Sequence, residues 1–173
     1  MSFASRVTLV VLGLLLSACS TQSSQTDVKL SRTGSWVLLP LVNLAQAPQA
    51  AEGAEQILFS VLAANGLTVT PAPQQQQPAD EFPLEDSQRL QQALQWARQR
   101  GDTYAITGSV EEWQYKSGLD GEPAVGITLR VIEPASGRIL WSASAARAGW
   151  SRESLAGAAQ TVLEGLVGDL PLE

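Results

Sequence analysis

Residues 35–43, Ser-Trp-Val-Leu-Leu-Pro-Leu-Val-Asn, form an apolar run that does not alternate. A strand with one face in water would alternate polar and apolar residues. A continuous run therefore calls for a strand covered on both faces, and Pro40 within it predicts a bulge or an edge position. The segments that follow read as the cover. Between residues 48 and 65, Ala51, Ala54, Ile57, Leu58, Val61 and Leu62 recur at three- and four-residue spacing, and Asn65-Gly66 supplies a stop, so the segment reads as an amphipathic helix. Residues 67–70 read as a short strand ended by Pro71, and Gln74-Gln75-Gln76-Gln77 as a polar loop. Leu90, Ala93, Leu94 and Ala97 mark a second helix from about Leu84 to Arg100, stopped by Gly101. Asp80, Glu81, Glu85 and Asp86 gather at its N-terminus, where carboxylates complement the helix dipole.

The period then changes to two. Residues 104–110 and the series Val125, Ile127, Leu129, Val131 each read as a strand, separated by the turn-rich loop 117–123. A tight turn at residues 134–137 leads into a further strand, from Arg138 to about Ala148. Gly149-Trp150 breaks it. A final helix from about Ser151 carries Leu155, Ala159, Val162, Leu163, Leu166 and Val167 on one face. The order βαβαβββα predicts an α/β (α+β) fold: one domain over residues 35–173, with a mixed five-stranded sheet and three helices. The crossovers set the early strands parallel, and the last three strands form an antiparallel meander. The Gln-rich loop, the 117–123 loop and Trp150 then cluster at one end of the sheet, where binding residues commonly sit.

Upstream, Arg6 precedes an apolar stretch, residues 7–16, that is shorter than the roughly 20 residues a spanning helix needs. Residues 1–18 read as a signal peptide. Leu16-Ser17-Ala18-Cys19 resembles the bacterial lipobox, which implies that Cys19 becomes the lipid-bearing N-terminus. Ser20 stands where the inner-membrane retention signal has Asp, which implies the outer membrane. Residues 19–34 are rich in Ser, Thr and Gln and read as a flexible tether with a reach of about 20 Å.

Composition narrows the chemistry. The chain has no His and a single Cys. It therefore has no Ser-His-Asp or Cys-His pair and no ligands for a usual zinc site, and a lipidated Cys19 leaves no thiol. No metal, catalytic residue or cofactor is expected beyond the covalent lipid. Formal charge is −6, and loss of residues 1–18 removes one base, Arg6, and no acid, which makes it −7. This balance speaks against nucleic-acid binding and favours cationic partners. Glu111 and Glu112 are neighbours on a strand, which alternation points to opposite faces, so they are not expected to act as a catalytic pair. Asp120 and Glu122 sit in a loop lacking the spaced oxygen ligands of an EF-hand. Trp36, Trp113 and Trp141 fall within strand patterns and read as core. Trp150, between Arg147 and Arg152, either meets the membrane at headgroup level, with the arginines on phosphates, or packs beneath the last helix.

The stretch 104–123, with Glu112-Trp113-Gln114-Tyr115-Lys116-Ser117-Gly118-Leu119-Asp120-Gly121-Glu122-Pro123, resembles the PelC family, lipoproteins of Pel exopolysaccharide export. Residues 127–142 and 149–155 carry the resemblance further, over roughly residues 35–170. It implies a non-enzymatic ring of about a dozen identical subunits on the periplasmic face of the outer membrane. It also implies an export porin, PelB, as partner, and a partly cationic polysaccharide drawn toward the pore in biofilm formation. On that reading Asp120, Glu122, Glu111 and Glu112 are the acids that guide the polymer. The alternative is a lipoprotein regulator that docks a periplasmic enzyme, as activators of penicillin-binding proteins do. A self-sufficient channel would need long amphipathic strands that residues 35–173 lack.

Overall fold

The computed structural model describes residues 28–73, 86–116, 121–149 and 153–173. The elements are β1 (Trp36–Asn43), α1 (Ala50–Ala64), β2 (Val69–Pro71), α2 (Asp86–Arg100), β3 (Tyr104–Tyr115), β4 (Pro123–Glu133), β5 (Arg138–Ala148) and α3 (Leu155–Gly168). They follow the expected order βαβαβββα and form one sheet, β2-β1-β3-β4-β5. β1 runs parallel to β2 and β3, while β3, β4 and β5 pair antiparallel.

β1 is central and covered on both faces, as its composition requires. Trp36, Leu38 and Leu41 enter the larger core with Ala54, Leu58 and Leu62 of α1 and with Ala159, Leu163 and Leu166 of α3. Val37 and Leu39 point the other way, into a smaller core with Ala93 and Ala97 of α2. Leu38 and Leu41 are three residues apart yet share a face. Strict alternation forbids that, and the register shift around Pro40 permits it. The Pro40 carbonyl freed there accepts from the Thr107 hydroxyl at 2.7 Å.

Helix ends follow local chemistry. Gly66 (φ +74°) and Leu67 close α1 in a Schellman motif, with Gly66 N–H donating to the Ala63 carbonyl and Leu67 N–H to that of Leu62, both at 3.0 Å. Leu67 is consumed by this cap and buried. The second strand consequently begins at Val69 rather than residue 67, and Pro71 lies inside it, on the sheet edge where a missing N–H costs nothing. Ser154 caps α3 by accepting from Gly157 N–H at 3.0 Å.

The folded domain also starts earlier than residue 35. Leu30 is fully buried, its N–H donates to the Pro171 carbonyl at 2.9 Å and its carbonyl accepts from Glu173 N–H at 3.0 Å. Burying one leucine contributes about 1.5–3 kcal/mol. Such a contact fastens the end of the expected tether to the C-terminus of the chain. One apolar residue in a polar stretch carries no period, which is why the sequence reads as a linker there.

Candidate functional site

The registers bring the ends of β1, β3 and β5 and the start of β4 to one edge of the domain. Asn43 pairs with Val110, Tyr115 with Pro123, and Ala124 with Ala148. Acidic side chains collect at this end, in two groups.

The first group surrounds the end of β1. β2 stops at Pro71, opposite Leu38, so among the described residues no strand meets the later N–H groups of β1 on that side. Carboxylates take the place of the missing strand. Leu41 N–H donates to Glu55 of α1 and Asn43 N–H to Asp86 of α2, both at 2.8 Å. Arg89 joins the helices across the sheet edge, 3.1 Å from Glu52, 3.1 Å from Asp86 and 3.8 Å from Glu55. Asp86, expected to act on the helix dipole, thus also serves as a backbone acceptor and an ion-pair partner. Sequence reasoning missed Glu52 and Glu55 altogether; Glu55 adjoins the apolar stripe of α1, beside Ala54, and that proximity is the available signal.

Burial raises the pKa of Glu55 above its ordinary 4.5, opposed by the Leu41 N–H and by Arg89, and assisted by Glu52 and Asp86. With the folded pKa above the unfolded one, the folded state holds the extra proton between the two values. Stability therefore falls as pH rises through that window. Glu55→Gln keeps an oxygen for Leu41 N–H and removes the titration. The gain in melting temperature on going from neutral to about pH 5 should be smaller in the variant than in the parent chain. An unchanged pH dependence would show that Glu55 does not titrate in this way.

The second group lies on β3 and the hairpin. A β-bulge between Val110 and Glu112 corrects the expectation that Glu111 and Glu112 face opposite ways. Val110 and Trp113 both reach the larger core, so the two glutamates between them share the face away from it. Glu111 accepts from the Ser109 hydroxyl at 2.6 Å, and Glu112 from the Gln114 amide at 3.1 Å. Glu122 is exposed, and its carbonyl accepts from Lys116 N–H at 2.7 Å, which closes the hairpin. Arg147, opposite Val125, is held 3.2 Å from Glu153. Cys19, Asp120, Trp150 and Arg152 lie outside the described residues.

The opposite end of the sheet carries Arg32, Arg98, Arg100 and Arg138, with Asp102 paired to Arg100 at 3.0 Å and Glu133 to Arg138 at 3.6 Å. Charge is thus graded along the strand axis. Among the described residues no group of His, Cys, Asp and Glu is arranged to hold a metal ion, and no helix is long and apolar enough to cross a membrane.

No protein-family model and no curated protein matches the sequence. Among solved structures, the PelC dodecamer from Paraburkholderia phytofirmans is similar at 31% identity and a TM-score of 0.72, over 89% of this chain and 98% of that one. A leucine-to-methionine variant of that dodecamer matches at the same identity and TM-score, over 89% of this chain and 99% of that one. Lipoprotein GNA1162 from Neisseria meningitidis shares the fold, with 19% identity and a TM-score of 0.60 over 78% of this chain and 96% of that one. With 31% identity sustained along nearly the whole relative, and with a five-stranded mixed sheet and three helices in a single domain, this chain belongs to the PelC family.

Proposed function

We propose that this protein is a non-enzymatic lipoprotein of the outer membrane, anchored through Cys19, whose ring of about a dozen copies guides a cationic exopolysaccharide on the periplasmic face toward its export porin, PelB. The observation that carries this reading is the collection of Glu52, Glu55, Asp86, Glu111, Glu112 and Glu122 at one end of the sheet. The related PelC structures are dodecamers, which supports a ring here. A formal charge of −7 per mature chain gives a closed ring of twelve roughly −80 before screening. Carboxylates repeated around a concave opening act together, so their field stays useful near the ~8 Å Debye length, where a lone exposed acid would be screened. Many weak contacts hold a polymer while letting it slide.

Arg147 already has a carboxylate partner in Glu153, so the membrane-headgroup role is assigned in this proposal to Trp150 and Arg152.

The test replaces Glu111, Glu112 and Glu122 by Gln and Asp120 by Asn, which removes four charges per copy with little change in volume. Binding of a soluble glucosamine oligomer to the purified protein at low salt should weaken at least tenfold, and polymer secretion should fall several-fold while the oligomer mass holds. Unchanged binding and secretion from an intact oligomer would remove these acids from the conduit.

A further inference from the structure

The two faces of the sheet are covered unequally. α1 and α3 lie on the larger-core face, α3 over β4 and β5, while on the smaller-core face α2 lies over β1. Among the described residues no helix lies over β4 and β5 on that second face. Alternation from Ala105 places Thr107 there, and Thr107 pairs with Arg130 and Arg130 with Ser142. Farther along the same face Thr128 pairs with Ser144 and Gly126 with Ala146. Strands that face water seldom carry glycine and alanine, yet here the floor has no side chain larger than threonine apart from Arg130. Arg130 itself is partly buried and has no hydrogen-bond or ion-pair partner among the described residues.

The outer side of α3 has the complementary character. Gly157, Thr161, Gly165 and Gly168 recur along it at three- and four-residue spacing. A Cβ on Gly165 or Gly168 would meet nothing within 4 Å, so packing within the chain does not call for glycine, which weakens a helix relative to alanine. Beside this line Glu164 accepts from the Gln160 amide at 2.8 Å, and neither it nor Asp169 meets a base among the described residues. On α1, by contrast, Glu52 and Glu55 already engage Arg89. Charge therefore selects α3 as the helix that suits Arg130. The heights agree as well. α3 runs from the acidic end, where Leu155 N–H meets the Tyr115 hydroxyl, toward the end where Leu172 bridges Leu30. Glu164 stands about 6 Å before the end of α3, and Arg130 about 10 Å before the end of β4. Both fall in the half of the domain away from the acidic end.

We infer that α3 of one copy lies on the bare face of β4 and β5 of the next, with Glu164 reaching Arg130, so that each sheet receives a second helix on that face from its neighbour. α3 and the bare face are the front and back of the same two strands, so the contact repeats head to tail, as a cyclic ring of identical chains requires. The inference rests on the ring reading above and goes further by naming the two surfaces and the charge pair between them.

The test measures mass and thermal unfolding of the full chain in mild detergent. Arg130→Glu and Glu164→Arg should each raise the dissociation constant of the assembly at least tenfold, giving single chains at low micromolar concentration, and the two combined should restore the multimer. Within one copy the two side chains lie on opposite faces of the sheet, so rescue requires contact between copies. Gly165→Leu adds a side chain for which the single chain has room. It should break the multimer while its melting temperature is no lower than that of Arg130→Glu. Phe59→Glu, on the outer side of α1, should leave the mass unchanged. Parent mass in Gly165→Leu and in both charge reversals would overturn the contact and leave the ring standing, and so would dissociation by Phe59→Glu alone, which would give the bare face to α1. Two dissociated charge reversals without rescue would overturn the pairing of Glu164 with Arg130. A parent chain that is monomeric at micromolar concentration would overturn the ring, and this contact with it.

Discussion

Gly108→Ala should lower the melting temperature by more than about 10 °C, an effect of roughly 4 kcal/mol or more in a domain of this size. Gly108 lies in β3, paired with Leu129 of β4. A Cβ there would overlap the carbonyl oxygen of Thr128 and stand 3.0 Å from its carbonyl carbon and 3.2 Å from Leu129 Cα. All three atoms are backbone, so no side-chain rotation can relieve the clash. β3 and β4 must separate instead, and with them goes the pairing that connects the parallel half of the sheet to the meander. Total stability of a domain is about 5–15 kcal/mol, so this one methyl group threatens the fold itself. Gly126→Ala is the control. Its Cβ meets Glu112 Cβ at 3.4 Å and Ala146 Cβ at 3.8 Å, near ordinary contact distance, and its melting temperature should remain within a few degrees of the parent. Equal effects of the two substitutions in thermal unfolding would reject the close approach of β3 and β4 as the reason for glycine at position 108.

Cys19→Ser should abolish membrane retention and bring polysaccharide secretion to background, the largest functional effect expected from any single change. The proposed anchor is a thioether, which a hydroxyl cannot form, and several acyl chains at about 0.8 kcal/mol per buried methylene hold far more firmly than any surface contact of a small domain. Membrane fractionation and secreted polymer are read in the same strain. The folded domain contains no described contact to Cys19, so unfolding of the purified variant should match the parent chain and separate location from stability. Normal fractionation with normal secretion would contradict the anchoring proposal.

The element order was legible because each element carries its own period. α1 and α3 show apolar stripes at helical spacing, β3 and β4 alternate, and the unbroken apolar run of β1 demanded the two layers that the structure provides. The misreadings share a physical cause: each depends on a backbone event that shifts the period locally. Leu67 looks like the first residue of a strand, but its N–H completes the cap of α1. Glu111 and Glu112 look like opposite-facing neighbours, yet the bulge turns them to one side. Val110 and Trp113, apolar and three apart, hinted at it. Of the acidic end, the strand order conveyed the location and the hairpin acids. The Glu52, Glu55, Asp86 and Arg89 group stayed hidden, because nothing in a linear sequence tells that β2 is too short to pair the end of β1.

A ring that presents the acidic end of each sheet to a cationic polymer requires first that many copies assemble, and the mass of the protein in solution reads that assembly. Multi-angle light scattering of the purified protein in mild detergent, corrected for bound detergent, should give a particle of about twelve chains, each of 18.4 kDa before any processing. A single-chain mass throughout the micromolar range would rule out the ring.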